Sequence, residues 1–158
     1  AKHDGPLPAR NKYRSTYFDL KRDFAETFCA RWWILSGKFG LLDPDRVIND
    51  YDVAITDDDV DAAQWAENVR TALANVEWPE TTEDGRKLVW ELYTLAGSDY
   101  LEAADQDGHA LQVQLPEITP QHVTIWFPFA DLAGIGYQNG WLAACRDSGC
   151  IVDTTNHG

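Results

Sequence analysis

Methionine is absent from the 158 residues, and cysteine occurs only at Cys29, Cys145 and Cys150. Three unevenly spaced cysteines are too few for a disulfide-stapled secreted scaffold, and a reducing cytoplasm suits them better. Long apolar runs are also missing. The bulkiest, Trp32 to Leu35, is far short of the roughly 18 residues a membrane-spanning helix needs, and no charged-then-apolar leader precedes it. The expectation is a cytoplasmic protein with neither a membrane partner nor a signal peptide. Hydrophobic residues make up 44% of the chain, which suits one globular domain over 1–158. With Ala1 in place of an initiator, a further strand ahead of it is expected.

Lysine is scarce as well, at 5 residues, and 13 bases face 26 acids for a net charge of −13. Aspartate outnumbers glutamate by 18 to 8. Such a surface stays soluble in concentrated salt, where the Debye length falls to ~3 Å and self-repulsion is screened. The balance reads as adaptation to molar salt of the kind halophilic archaea need. It is unevenly spread: residues 1–38 hold 8 bases against 4 acids, and residues 39–158 hold 5 against 22. A basic stretch on an acidic chain points to phosphate, with surface ion pairing as the plainer explanation.

Prolines at 6 and 8 make residues 1–14 an extended or looping segment. Tyr17, Leu20, Phe24 and Phe28 then recur at helical spacing and predict a helix from Thr16 to Ala30. Trp32 to Leu35 reads as a buried strand opening into a loop from Lys38 to Ile55. Thr56, followed by three aspartates, predicts the cap of a helix over Asp57–Val76. Leu88–Leu95, Ala110–Leu115, Val123–Phe127 and Cys150–Val152 read as strands. Ser98 caps a short helix to Ala104, and another runs from Gly136 to Gly149. Strands alternating with helices predict an α/β fold of three layers, a mostly parallel sheet with helices on both faces.

In such a fold ligands sit beyond the carboxyl ends of strands, where glycine lets backbone approach them. Ser36-Gly37-Lys38-Phe39-Gly40, Gly97-Ser98 and Gly134-Ile135-Gly136 are the candidate turns. The last misses the dinucleotide fingerprint, so no Rossmann cofactor is expected. The candidate ligand-binding residues are Lys2, Arg10, Lys12, Arg14, Ser36, Gly37, Lys38, Tyr51, Gly97 and Tyr100. The bases would meet phosphate and the tyrosines would stack on bases. Ser36 with Lys38 also has the composition of a nucleophile and base, although a lysine after a glycine turn more commonly contacts phosphate or solvent. Asp43, Asp45, Asp50 and Asp52 lack a calcium-loop spacing, and Cys145, Cys150 and His157 lack that of a zinc site. No cofactor, metal or catalytic residue is assigned, and oligomeric state is not read.

The run Ile34-Leu35-Ser36-Gly37-Lys38-Phe39-Gly40-Leu41-Leu42-Asp43-Pro44, continued by Val47-Ile48 and Asp50-Tyr51, resembles the motif of the YaaA-like proteins. Upstream, Pro8-Ala9-Arg10 with Tyr13, Ser15 and Phe18 is similar to the stretch before the first helix of those domains. The resemblance covers the first third of the chain. It implies a domain that binds nucleic acid or a nucleotide-like small molecule, in DNA protection or the response to peroxide stress. An enzyme acting on a nucleobase or nucleoside, by glycosidic or base-modification chemistry, is the alternative.

The charge pattern generates a first prediction. Circular dichroism during dialysis from molar salt into dilute buffer should show loss of helicity and of melting temperature as screening is withdrawn. An unchanged spectrum and melting temperature would contradict adaptation to salt.

Overall fold

A computed structural model describes residues 1–154. In chain order the elements are β1 (Leu7–Pro8), α1 (Ala9–Lys12), α2 (Thr16–Phe28), β2 (Ile34–Ser36), β3 (Gly40–Leu42), β4 (Val47–Ile48), α3 (Ala62–Ala74), β5 (Trp90–Tyr93), α4 (Ser98–Leu101), α5 (Leu111–Ile118), β6 (Val123–Trp126), a 3-10 turn (Pro128–Asp131) and α6 (Ile135–Ser148). They fall into two compact units: residues 1–34 with 42–52 and the chain from Pro128 on, and residues 35–41 with 53–127. The β2–β3 hairpin belongs to both, Ile34 and Leu42 to the first and Leu35–Leu41 to the second.

The first unit forms around α2 and α6. Ser15 accepts the Phe18 N–H at 3.0 Å and starts α2, and Leu20, Phe24 and Ala25 are its buried stripe. On α6 the matching stripe is Gln138, Trp141, Leu142 and Cys145. Phe24 meets the Trp141 ring with centroids 5.4 Å apart, and Phe129 meets it edge-on at 6.5 Å. The Trp141 indole N–H donates to the Val152 carbonyl at 2.9 Å, so the largest core side chain is also satisfied. Gly149, at φ 72°, adopts the left-handed conformation that ends α6. β1 and β4 pair antiparallel, Leu7 opposite Ile48 and Pro8 opposite Val47.

The core of the second unit is Ile55, Trp65, Ala66, Val69, Leu73, Ala103, Leu111 and Leu115. α3 and α5 supply most of it. β5 and β6 run parallel, from Trp90 opposite Val123 to Tyr93 opposite Trp126, with α4 and α5 in the crossover.

The expected three-layer, mostly parallel sheet is not formed. Among the described residues the strands make three two-stranded sheets, of which only β5–β6 is parallel. Three sequence readings account for the difference. Leu111, Val113 and Leu115 alternate as in a half-buried strand, yet the segment is helical and buries Leu111, Gln114 and Leu115 while Val113 is 56% exposed. Cys150–Val152 is not a strand. The expected loop from Lys38 to Ile55 contributes the two antiparallel partners, β3 and β4. The helix cap also moves: Asp57 takes the Ala54 N–H in a turn, and Asp61 caps α3 through the Gln64 N–H at 3.1 Å.

Trp141 is 1% exposed and fixed by both ring contacts and a hydrogen bond. Trp141→Ala should therefore cost about 3–5 kcal/mol in urea unfolding. A loss within experimental error of zero would remove the α2–α6 interface as the anchor of this unit.

Candidate functional site

The Ser36–Gly40 turn is built within the second unit. Ser36 is 2% exposed, and its Oγ accepts the backbone N–H groups of Lys38 at 3.2 Å and Phe39 at 3.1 Å. A hydroxyl in that position holds the turn in the way an Asx or ST motif does. The Ser36 carbonyl accepts the Trp65 indole N–H at 2.8 Å. Gly37 is required on steric grounds, since a Cβ there would lie 2.7 Å from the Ile55 nitrogen. Gly40 adopts φ +68°. Serine and both glycines thus have structural reasons to be where they are. Lys38 is exposed, with its ammonium 5.2 Å from the Phe39 ring centroid. Gly97 is the N-cap residue of α4, and Tyr100 lays its ring against Trp65 at 5.6 Å.

The other candidates lie in the first unit, at the corner where residues 1–14 meet residues 42–52. Lys12 is 0% exposed, and its ammonium donates to the Gly5 carbonyl and the Asp50 carboxylate. Asp50 also accepts the Gly5 N–H at 2.9 Å. Hydrogen bonding from the Lys12 ammonium first, and from the Gly5 N–H second, holds the Asp50 carboxyl below the usual carboxylate range. Lys12 accordingly faces its own chain and is not a solvent-side base. Arg10 is likewise engaged, with Asp45 at 2.6 Å and Glu26 at 3.7 Å.

Lys2, Arg14 and Tyr51 remain on the outer side of this corner. Lys2 pairs with Tyr13 in an antiparallel bridge, and the Arg14 N–H donates to the Ala1 carbonyl at 3.0 Å. Tyr13 and Tyr51 share a 2.5 Å hydrogen bond between their hydroxyls, their rings edge to face with centroids 6.5 Å apart. The Lys2 ammonium stands 4.4 Å from the Tyr51 ring centroid. Neither Lys2 nor Arg14 has an ion pair among the described residues.

The structure therefore gathers Lys2, Lys12, Arg14 and Tyr51 in the first unit, with Arg10 turned to its carboxylate partners, and Ser36, Gly37, Lys38, Gly97 and Tyr100 in the second. Sequence reasoning does not mark Tyr13 as a site residue. The available signal was its place beside the bases in the Arg-Asn-Lys-Tyr-Arg run of residues 10–14. Cys145 is buried and Cys150 exposed, while His157 lies outside the described residues. No helix among the described residues is long and apolar enough to cross a membrane.

Helices flanking small separate sheets, with a cation-and-tyrosine corner in one of two units, define the class as a helix-rich α+β protein. The chain belongs to the family of unknown function DUF6884, which matches residues 1–144 and so includes every candidate ligand-binding residue above. It is also 28% identical over 135 residues to the "Uncharacterized protein YfjM" of Bacillus subtilis (strain 168), an alignment that covers 85% of this chain and 77% of that protein. No solved structure matches.

The Asp50 contact makes stability pH-dependent with a defined sign. A carboxyl held low in the folded state stabilises the fold fully above its ordinary value of about 4, and that contribution disappears as pH falls through the lowered one. Asp50→Asn should melt below the native protein at neutral pH, and the gap should close in acid. A gap that stays constant to pH 2 would show that the ion pair contributes nothing.

Proposed function

We propose that this protein is a nucleic-acid- or nucleotide-binding module, and that phosphate and base are met at the Lys2, Tyr13, Arg14 and Tyr51 corner. The observation that supports this reading is a pair of cations, Lys2 and Arg14, without carboxylate partners among the described residues and beside two tyrosines, in a chain whose acids outnumber its bases two to one. Local charge points the same way. The first unit holds 9 bases against 11 acids, whereas the second holds 4 against 15. A polyanion is repelled by the second far more than by the first, so Lys38 sits in the less favourable field. Stacking on tyrosine keeps its value when salt screens phosphate contacts. A role in DNA protection or peroxide stress fits such a module. The alternative of an enzyme on a nucleobase draws no support from Ser36, whose hydroxyl serves the turn.

Anisotropy titrations of labelled single-stranded oligonucleotides and of nucleotides, at several salt concentrations, test the assignment. Lys2→Glu and Arg14→Glu should each weaken oligonucleotide binding and lower the slope of log affinity against log salt by ~0.7 for each phosphate that is no longer neutralised. Tyr51→Ala should weaken binding with little change in that slope. Lys38→Glu should have a smaller effect than either corner charge reversal. Absence of binding by folded native protein, or equal affinity in all variants, would overturn the reading.

A further inference from the structure

β6 is a strand with one open side. The Trp90 N–H donates to the His122 carbonyl and the Thr94 N–H to the Trp126 carbonyl, both at 2.9 Å, so the main-chain groups of His122, Thr124 and Trp126 face β5. Alternation turns those of Val123, Ile125 and Phe127 the other way. The Val123 N–H is met by the Pro120 carbonyl at 3.0 Å, whereas the Ile125 N–H and carbonyl and the Phe127 N–H make no hydrogen bond among the described residues. Among those residues β6 pairs with no strand except β5. Its sequence, Val-Thr-Ile-Trp, also lacks the proline or charge with which edge strands discourage pairing.

A groove of about 240 Å³ is lined by the outward-turned residues Val123, Ile125 and Phe127, together with Pro116, Thr119 and Gln121 from the end of α5 and the link to β6. Small-molecule sites are about 300–1,000 Å³, so this groove suits individual side chains better than a whole ligand. A strand added to β6 would supply them, because every second side chain of that strand falls on the Val123, Ile125 and Phe127 face. On the opposite face Trp126 is 46% exposed and stacks on Tyr93, with ring centroids 6.3 Å apart. Parallel strands are ordinarily covered on both faces, and here this one is not.

Charge selects the occupant. Residues 88–127, from β5 through β6, hold six acids and no lysine or arginine. Glu117, next to Pro116 of the groove, is exposed, and so is Glu91, which lies opposite Thr124 on the Trp126 face. A second copy of this face, or a polyanion, would bring like charge against these acids. We propose that the open edge of β6 binds an extended segment of a partner protein, apolar at alternate positions and carrying lysine or arginine between them. The apolar side chains enter the groove, and the cations lie over the Trp126 ring and toward Glu91. This surface is independent of the nucleic-acid reading, since every residue it uses belongs to the second unit.

The probe is a heptapeptide of alternating lysine and valine with both ends blocked, titrated into the folded chain at the lowest salt that preserves its circular dichroism and followed by amide NMR. It should shift Ile125 and Phe127 first. Replacing its lysines by glutamate should weaken binding about tenfold, with the gap narrowing as salt is added. Methylating its backbone nitrogens, which removes the main-chain donors, should weaken binding about tenfold as well. Glu117→Lys and Gln121→Arg alter exposed side chains of the protein, should leave its circular dichroism unchanged, and should each weaken the lysine peptide by about 2–5-fold. No binding of the lysine peptide, equal binding of the glutamate or methylated peptide, or shifts confined to residues outside β6 and its groove would overturn the proposal. So would sedimentation showing a dimer of this chain that the lysine peptide does not dissociate and in which Ile125 is protected from exchange, because the edge would then belong to a second copy.

Discussion

A lysine ammonium taken wholly out of water sets the geometry of the N-terminal corner. Burying an unpaired charge costs several kcal/mol even after relaxation, so Lys12 can be internal only where acceptors surround it. The Gly5 carbonyl and Asp50 are those acceptors, and they come from segments 45 residues apart in sequence. The same two segments are joined by β1–β4 pairing and by hydrogen bonds from Ala9 to Arg46 and Arg10 to Pro44. Holding Asp50 in place necessarily holds its neighbour Tyr51, which is how the Tyr51 hydroxyl reaches Tyr13. The placement of the outer cation-and-tyrosine group therefore follows from satisfying a charge beneath it.

The Ser36–Gly40 turn illustrates a different constraint. A serine and two glycines next to a lysine suggest chemistry when only the sequence is available, because the same residues build anion sites and nucleophile turns. In the fold the serine hydroxyl closes the turn, one glycine clears the Ile55 backbone, and the other takes a positive φ. Residue identity marked this segment as special, whereas the neighbours supplied by distant sequence decide what makes it so. Ile55 and Trp65 are both outside the motif, and each imposes one of its requirements.

Elements whose apolar residues repeat over several turns were readable. The α2 stripe of Leu20 and Phe24 and the α3 stripe of Trp65, Val69 and Leu73 bury as their spacing predicts. Short segments were not, because so brief a run does not separate the period of a strand from that of a helix. At α5 the deciding residue was polar: Gln114 turns inward to meet Asp105, so hydrophobicity alone selected the wrong face. Sheet architecture failed for a related reason. Counting strands says nothing about which of them pair, and pairing of Leu7–Pro8 with Val47–Ile48 depends on contacts no local pattern reveals. Basic residues were legible as a cluster, but their division into buried, ion-paired and outward-facing groups depends on where the acids fall.

Four polar side chains are buried among the described residues, and each organises a local feature. Lys12 secures the N-terminal corner and Ser36 the turn after β2. Gln138 accepts the Tyr17 hydroxyl at 2.6 Å and donates to the Leu132 carbonyl at 3.1 Å, linking α2, the segment before α6, and α6 itself. Tyr17, desolvated there, has its hydroxyl pKa pushed up to about 12, so it remains a donor to Gln138 across the physiological range. Gln114 differs from these three in keeping one side-chain atom unsatisfied. In a low-dielectric interior a half-satisfied polar group is unfavourable compared with either a complete network or an apolar side chain. The first three are explained by protein contacts alone, whereas the fourth satisfies Asp105 and leaves its own acceptor unpaired.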